Sequence, residues 1–451
     1  MATRGLATLV VVVAVAVIGA EALSPPKQNY CKNRKPSECC RDGRDDDCTV
    51  PIRDTFCYCD DFCIDHDERK GVDDDCCPDF RETRSTLSPS RVPRCNKLCA
   101  SLPPPAVCIH EGKALQNGTY TFNCNKCTCL GGRMDCEDDQ CLVDRDLIRE
   151  VNHVRIGWTA TNYSTFWGKK AKEGIAQRTG TLLSNDRTRA MLPILLHPDP
   201  RQIPRDFDAR LKGEWRGLIS GVRDQGWCGA SWIFSTLDVA QDRQMILSRG
   251  APVSLAPQQL LSCALKTGDC RGGYVDHAWM YLRKLGVVEE SCYPYVSGAY
   301  GGVPPCQRSP RFSACKVFKM EPAYRIANKE EDIQWEIMTN GPVQALMTVH
   351  RHLFTYGSGV YSCPKTDTRS TQETGMHSVR ILGWGEETFG YPPKKYWLVA
   401  NSWGTEWGEN GLFRIQRGND ASCGIEDFVL AVRGRRDHWA KKTSQFEFQR
   451  R

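Results

Sequence analysis

Apolar and polar positions alternate in three distinct ways along the chain. An apolar run from Ala7 to Ile18 follows Arg4 and ends at the small residues Gly19-Ala20-Glu21-Ala22. Twelve residues are too few to cross a bilayer, and this order of features predicts a secretory signal over 1–22. No later stretch has the length and apolarity of a membrane span, so no membrane span is expected. From Ser231 onward Phe234, Leu237, Val239 and Ile246 suit one side of a helix, and an amphipathic helix is predicted there. Residues 142–203 carry a mixed helical pattern that includes Leu147, Ile148 and Val151. Between 27 and 82, apolar residues are too sparse for a core of their own, so disulfides must replace it.

The chain of 451 residues is long enough for several domains, and its 25 cysteines fall into two groups, 17 between Cys31 and Cys141 and eight between Cys228 and Cys423. That density belongs to an oxidising compartment, where it becomes disulfides. The alternative for Cys124-Asn-Lys-Cys127 is a zinc site, but no histidine stands nearby at finger spacing; neither metal nor cofactor is expected. The odd count in the first group leaves at least one cysteine to pair with another chain or with the rear domain. Asn117-Gly-Thr119 and Asn162-Tyr-Ser164 are glycosylation acceptors. The formal charge of +6 is uneven, with acidic clusters between 41 and 76 and a basic tail over 434–451 suited to sulfated glycans. Nothing resembles a nucleic-acid-binding motif.

Residues 27–82, with Cys57-Tyr-Cys59, Cys63 and Cys76-Cys77-Pro-Asp-Phe80, resemble a somatomedin-B domain, although the pair Cys39-Cys40 departs from its pattern. A Pro-bearing linker is predicted over 83–107. Residues 108–141, with Cys124, Cys127, Cys129, Cys136 and Cys141, are similar to the front half of a von Willebrand factor type C module. The stretch 142–203, with Trp158 and Phe166-Trp167-Gly168, resembles a cathepsin B propeptide, and Ile203-Pro204 to Arg210 resembles the start of the mature enzyme.

Residues 204–433 resemble the cathepsin B branch of the papain family. The likeness rests on Gln225-Gly-Trp-Cys228-Gly-Ala-Ser231-Trp232, Cys270-Arg-Gly-Gly273-Tyr274, Gly375-Met-His377-Ser-Val379 and the Asn401-Ser-Trp403-Gly404 stretch. It implies an α+β, papain-like two-lobed domain, a helical lobe plus a β-barrel-like lobe, preceded by small disulfide-rich modules. It also implies the pairs Cys228–Cys270 and Cys363–Cys423, leaving Cys263, Cys292, Cys306 and Cys315 for two further bridges. By the same resemblance Ser231 stands where the nucleophilic cysteine belongs, with His377 as its base, Asn401 orienting that imidazole and Gln225 in the anion-accepting site. His377 follows Ser231 by 146 residues, within the interval of roughly 130–150 for this arrangement; Asn401 follows by 170, the excess fitting an insertion at 387–394.

A thiol of pKa about 8.5 can be lowered to about 3–4 at a helix N-terminus beside an imidazole, whereas a serine hydroxyl stays protonated in the same place. A domain able to bind peptide without cutting it is therefore expected, with its cleft either open or filled. The two histidines by which cathepsin B holds a substrate's carboxyl end have no counterpart between Cys292 and Cys315. The order of modules resembles the tubulointerstitial nephritis antigen family. The resemblance implies a secreted, non-catalytic matrix glycoprotein that associates with laminin- or collagen-like proteins and with integrins, although no Arg-Gly-Asp is present. The alternatives are a weak serine-type peptidase using Ser231 and a decoy for peptides or protease inhibitors.

Overall fold

The computed structural model describes residues 49–52, 55–58 and 107–435, less 155–156, 185, 251, 265–267, 308–313, 365–373, 389–392 and 419–421. The expected signal segment and nearly all of the somatomedin-B-like module, of the linker and of the basic tail lie outside these residues. The chain divides into two units, Met1–Pro103 and Pro104–Arg451. In the first, β1 (Thr49–Ile52) and β2 (Thr55–Tyr58) form an antiparallel hairpin.

The second unit opens on small antiparallel ribbons. One pairs β3 (Val107–His110) with β4 (Lys113–Gln116), and the other orders β5 (Gly118–Phe122), β6 (Asn125–Leu130) and β7 (Arg133–Cys136) in sequence. Three bridges staple them, Cys108–Cys129, Cys124–Cys141 and Cys127–Cys136, so Cys124 and Cys127 go to different partners and do not share a metal. All eight rear cysteines close among themselves, as Cys228–Cys270, Cys263–Cys306, Cys292–Cys315 and Cys363–Cys423. Eleven cysteines between Cys31 and Cys99 remain, and the odd one is among them. The rear domain offers it no partner.

The rear domain sets helices against one large sheet. Helix α3 (Ser231–Ser248) packs with α4 (Pro257–Cys263), α5 (Val275–Lys284) and the long strand β15 (Thr374–Glu387). It is buried nearly all round from Ser231 to Met245, so it lacks the polar face expected of an amphipathic helix. Its polar side chains reach partners inside the protein. Asp238 pairs with Arg223, Asp242 with Arg380, and Arg243 with Glu336. Paired charges can stay buried where single ones cannot, which is why the sequence pattern underestimated the burial of this helix.

Eight strands of the sheet follow the order β12 (Tyr324–Ile326), β18 (Val429–Ala431), β13 (Val343–His350), β15, β16 (Lys394–Ala400), β17 (Leu412–Gln416), β14 (Tyr356–Tyr361) and β8 (Trp158–Ala160), with β9 (Phe207–Asp208) paired off this path to β15. Strand β8 comes from the stretch expected to be propeptide-like and helical. It does contain α1 (Arg145–Val154) and α2 (Ala171–Arg178), yet it also extends the rear domain's sheet antiparallel to β14. Leu142, Val143, Val151, Trp158, Phe166 and Ile175 belong to the same buried core as Phe354, Trp403 and Trp407.

Among the described residues no disulfide joins 107–182 to 203–435. Six large apolar side chains at about 1.5–3 kcal/mol each nevertheless amount to on the order of 10 kcal/mol of burial. A protease nick within 183–202, where Leu192 is 88% exposed, is therefore expected to leave the two pieces together in gel filtration without denaturant. Separate elution would show that this shared core does not hold them.

Candidate functional site

The site begins at a loop that two constraints fix. The Cys228–Cys270 bridge ties Gln225–Trp232 to the glycine-bearing turn formed by β10 (Gly268–Asp269) and β11 (Gly272–Gly273). Gly273 has room for no side chain, since a Cβ there would lie 2.4 Å from the Trp232 ring. The chain then enters α3 at Ser231, where the first N–H groups of a helix have no partner within it.

In this structure that partner is the chain itself. The Ser231 N–H donates to the Thr179 carbonyl at 3.3 Å, and the Ser231 hydroxyl donates to the same oxygen at 2.7 Å. A hydroxyl has one proton, so the 2.9 Å contact between Thr181 Oγ1 and Ser231 Oγ has threonine as donor. The Ser378 N–H points at the same oxygen from 3.4 Å. The proton of Ser231 and the lone pairs opposite it are thus engaged within the protein.

Residues 178–182 cross the cleft as a strap. The buried Arg178 guanidinium donates to Asp224 Oδ1 at 2.7 Å and to the Gly226 carbonyl at 3.0 Å, and lies 4.8 Å from the centre of the Trp227 ring. Trp403 Nε1 donates to the Arg178 carbonyl, Thr181 N to Met376 O, Gly273 N to Gly180 O and Leu182 N to Gly273 O. Thr181 and Gly273 make a parallel bridge. Gly180 has φ +89°, and a Cβ there would stand 2.0 Å from the Gly229 carbonyl oxygen. Only glycine lets the strap pass so close to the loop.

His377 lies on β15 and Asn401 directly after β16, both buried. The Ser402 N–H donates to Asn401 Oδ1 at 2.8 Å, which fixes that atom as an acceptor, and His377 Nε2 is 2.8 Å from it. The proton therefore sits on Nε2. Nδ1 is left bare, buried and without a partner. Among the described residues no hydrogen bond joins it to Ser231. Burial pushes the His377 pKa down to about 4, the charge of Arg178 acts in the same direction, and the Asn401 contact opposes both. The imidazole is neutral at pH 7. Gln225 Nε2 donates to the Cys228 carbonyl at 2.7 Å and Gln225 Oε1 accepts from Ser402 Oγ, while the Thr179 carbonyl occupies the N–H at 231.

The four residues named from sequence thus gather around one cleft, but the strap across it was not anticipated. Arg178, Thr179, Gly180 and Thr181 look like ordinary loop residues in the sequence, and Gly180 between two threonines is the sole hint. Asn117 and Asn162 are both exposed.

Stability should carry the signature of these buried imidazoles. The unfolded chain binds a proton at His377 near pH 6.5, whereas the folded one resists until about 4. Stability is whole above 6.5 and falls as pH drops through that window, by about 3 kcal/mol at most for one such group. His352 is also pushed down to about 4, first by burial and then by Arg351 and His350, and adds to the same loss. Denaturant unfolding at pH 7 and pH 4.5 should show it, with a smaller difference in His352→Gln. Equal stabilities at the two pH values would contradict the assignment.

The helix carrying the nucleophile position, the histidine and asparagine on neighbouring strands and the glycine-bearing wall define a papain-type domain. The profile of the papain family cysteine proteases matches residues 203–433. A pro-cathepsin B from Trypanosoma congolense aligns at a TM-score of 0.56 and 27% identity, covering 65% of this chain and 99% of that one. Human tubulointerstitial nephritis antigen-like protein is 40% identical over 90% of this chain and 88% of its own. Human tubulointerstitial nephritis antigen is 36% identical over 93% and 88%. The chain belongs to the tubulointerstitial nephritis antigen family, whose rear domain is papain-like.

Proposed function

We propose that this chain is a secreted, non-catalytic matrix glycoprotein that acts by holding other proteins. The observation that carries this reading is the Ser231 hydroxyl, an unactivated group at the nucleophile position that donates its hydrogen bond to the Thr179 carbonyl. A hydroxyl bonded to Thr179, a His377 imidazole that makes no hydrogen bond to it and a strap across the site each oppose acyl transfer, and together they leave no group ready to attack. The cysteine-rich modules, the exposed acceptors Asn117 and Asn162 and the family of its relatives support an extracellular role. No helix among the described residues is long and apolar enough to cross a membrane.

The partners consistent with this reading are laminin- or collagen-like proteins, integrins through a surface other than Arg-Gly-Asp, and sulfated glycans on the basic tail. The decoy role loses ground, because a peptide or inhibitor would first have to displace residues 178–182. Purified protein should turn over no peptide substrate and should be retained on immobilised laminin, collagen IV or a sulfated glycan. Turnover abolished by Ser231→Ala would reject the first half. Failure to bind any of the three surfaces would reject the second.

A further inference from the structure

One group of metal-ligating side chains lies apart from the cleft. His350 ends β13, Cys363 follows β14 by two residues, and Cys423 precedes β18; the imidazole and both sulfurs lie within 4.8 Å of one another. The two cysteines are bridged, with Cα atoms 5.2 Å apart. Their places are held by the sheet, since the Thr348 N–H of β13 donates to the Cys423 carbonyl at 3.0 Å. His350 Nδ1 is buried and has no hydrogen-bond partner. A buried polar atom without a partner is costly, which makes this nitrogen the least settled part of the cluster.

We infer that reduction of the Cys363–Cys423 bridge turns this cluster into a site for one thiophilic divalent cation, held by two thiolates and the His350 imidazole. The electron balance requires a dithiol reductant. Two electrons and two protons pass from it to the bridge, the dithiol closes to its own disulfide, and the cation then displaces the two thiol protons. Tetrahedral zinc binds sulfur at about 2.3 Å and imidazole at about 2.0 Å, so the two sulfurs need to part to roughly 3.8 Å. Side-chain rotation can supply that from Cα positions already fixed. Two thiolates and one imidazole form a soft donor set that favours zinc or cadmium over calcium or magnesium. A water molecule completes the fourth position. The oxidised protein has no such site, because a disulfide sulfur carries no thiolate charge.

The test uses the full-length protein, a Cys363→Ser/Cys423→Ser double variant and His350→Gln, all treated with the same dithiol and freed of it without air. Cadmium titration followed by thiolate-to-metal absorption should give one equivalent more in the parent than in the double variant, since all other cysteines are common to both. His350→Gln should weaken that last equivalent by about tenfold or more. Alkylation mapped by mass spectrometry should show Cys363 and Cys423 protected together by zinc in the parent and unprotected in His350→Gln. Equal cadmium uptake in parent and double variant, or the same alkylation of the two cysteines with and without zinc, would overturn the proposal. So would loss of native tryptophan fluorescence on reducing the parent, because the site exists only in the folded sheet.

Discussion

Replacing Ser231 by cysteine leaves the intact chain inert toward peptides, whereas the same replacement combined with Gly180→Val gives a working hydrolase. The double variant is expected to exceed Gly180→Val alone by on the order of 10³-fold or more in kcat/KM, because loss of the acting nucleophile from an otherwise complete triad costs that much. The reasoning joins two observations. The strap puts the Thr179 carbonyl against the N–H at 231 and donates the Thr181 N–H to the Met376 carbonyl beside the buried His377, so sulfur alone gains no access to substrate. Once the strap leaves, water reaches His377 and relieves the burial that now keeps its pKa near 4. A thiol at the head of α3 can then lose its proton to the imidazole before substrate arrives, which a hydroxyl cannot do. Peptide hydrolysis by Ser231→Cys alone, equal to that of the double variant, would show that the strap is no barrier. Comparable turnover by Gly180→Val with serine retained would show that oxygen suffices.

Gly180→Val by itself should unseat residues 178–182 and lower stability by about 2–5 kcal/mol. A branched side chain at φ +89° is strained, and its first carbon would stand 2.0 Å from the Gly229 carbonyl oxygen. The loop cannot retreat easily, because the Cys228–Cys270 bridge and the Gly229 N–H to Cys270 carbonyl bond hold it from behind. Hydrogen exchange should quicken in peptides covering 178–184 and 270–275, since Gly273 loses both strap contacts. Gly302→Ala, where nothing lies within 4 Å of the added carbon, serves as the control. Unchanged exchange in Gly180→Val would mean that the strap is not held by close passage at that point.

The papain-type body was legible because its chemistry is written in short local stretches. Gln225 to Trp232, the glycines before Tyr274, His377 and the Asn401-Ser-Trp403 stretch each keep their residue types in order, and the fold brings them together. The buried character of α3 was not legible, since Asp238, Asp242 and Arg243 read as a solvated face until Arg223, Arg380 and Glu336 are placed beside them. The strap was hidden for another reason. Most of its contacts are made by backbone groups, and a carbonyl that fills a cleft leaves no mark in residue type. Strand β8 escaped in the same way, three residues long and paired to β14 from some two hundred positions away in the chain.

The most direct test of the central claim is covalent labelling of Ser231 by a fluorophosphonate probe, read by intact mass and peptide mapping, in the parent protein and in Gly180→Val. In the parent the hydroxyl is bonded to the Thr179 carbonyl and not to His377, and in Gly180→Val it stays protonated where a thiol would not, so both proteins are expected to keep their unlabelled mass. An adduct mapped to Ser231 and lost in Ser231→Ala would contradict the account.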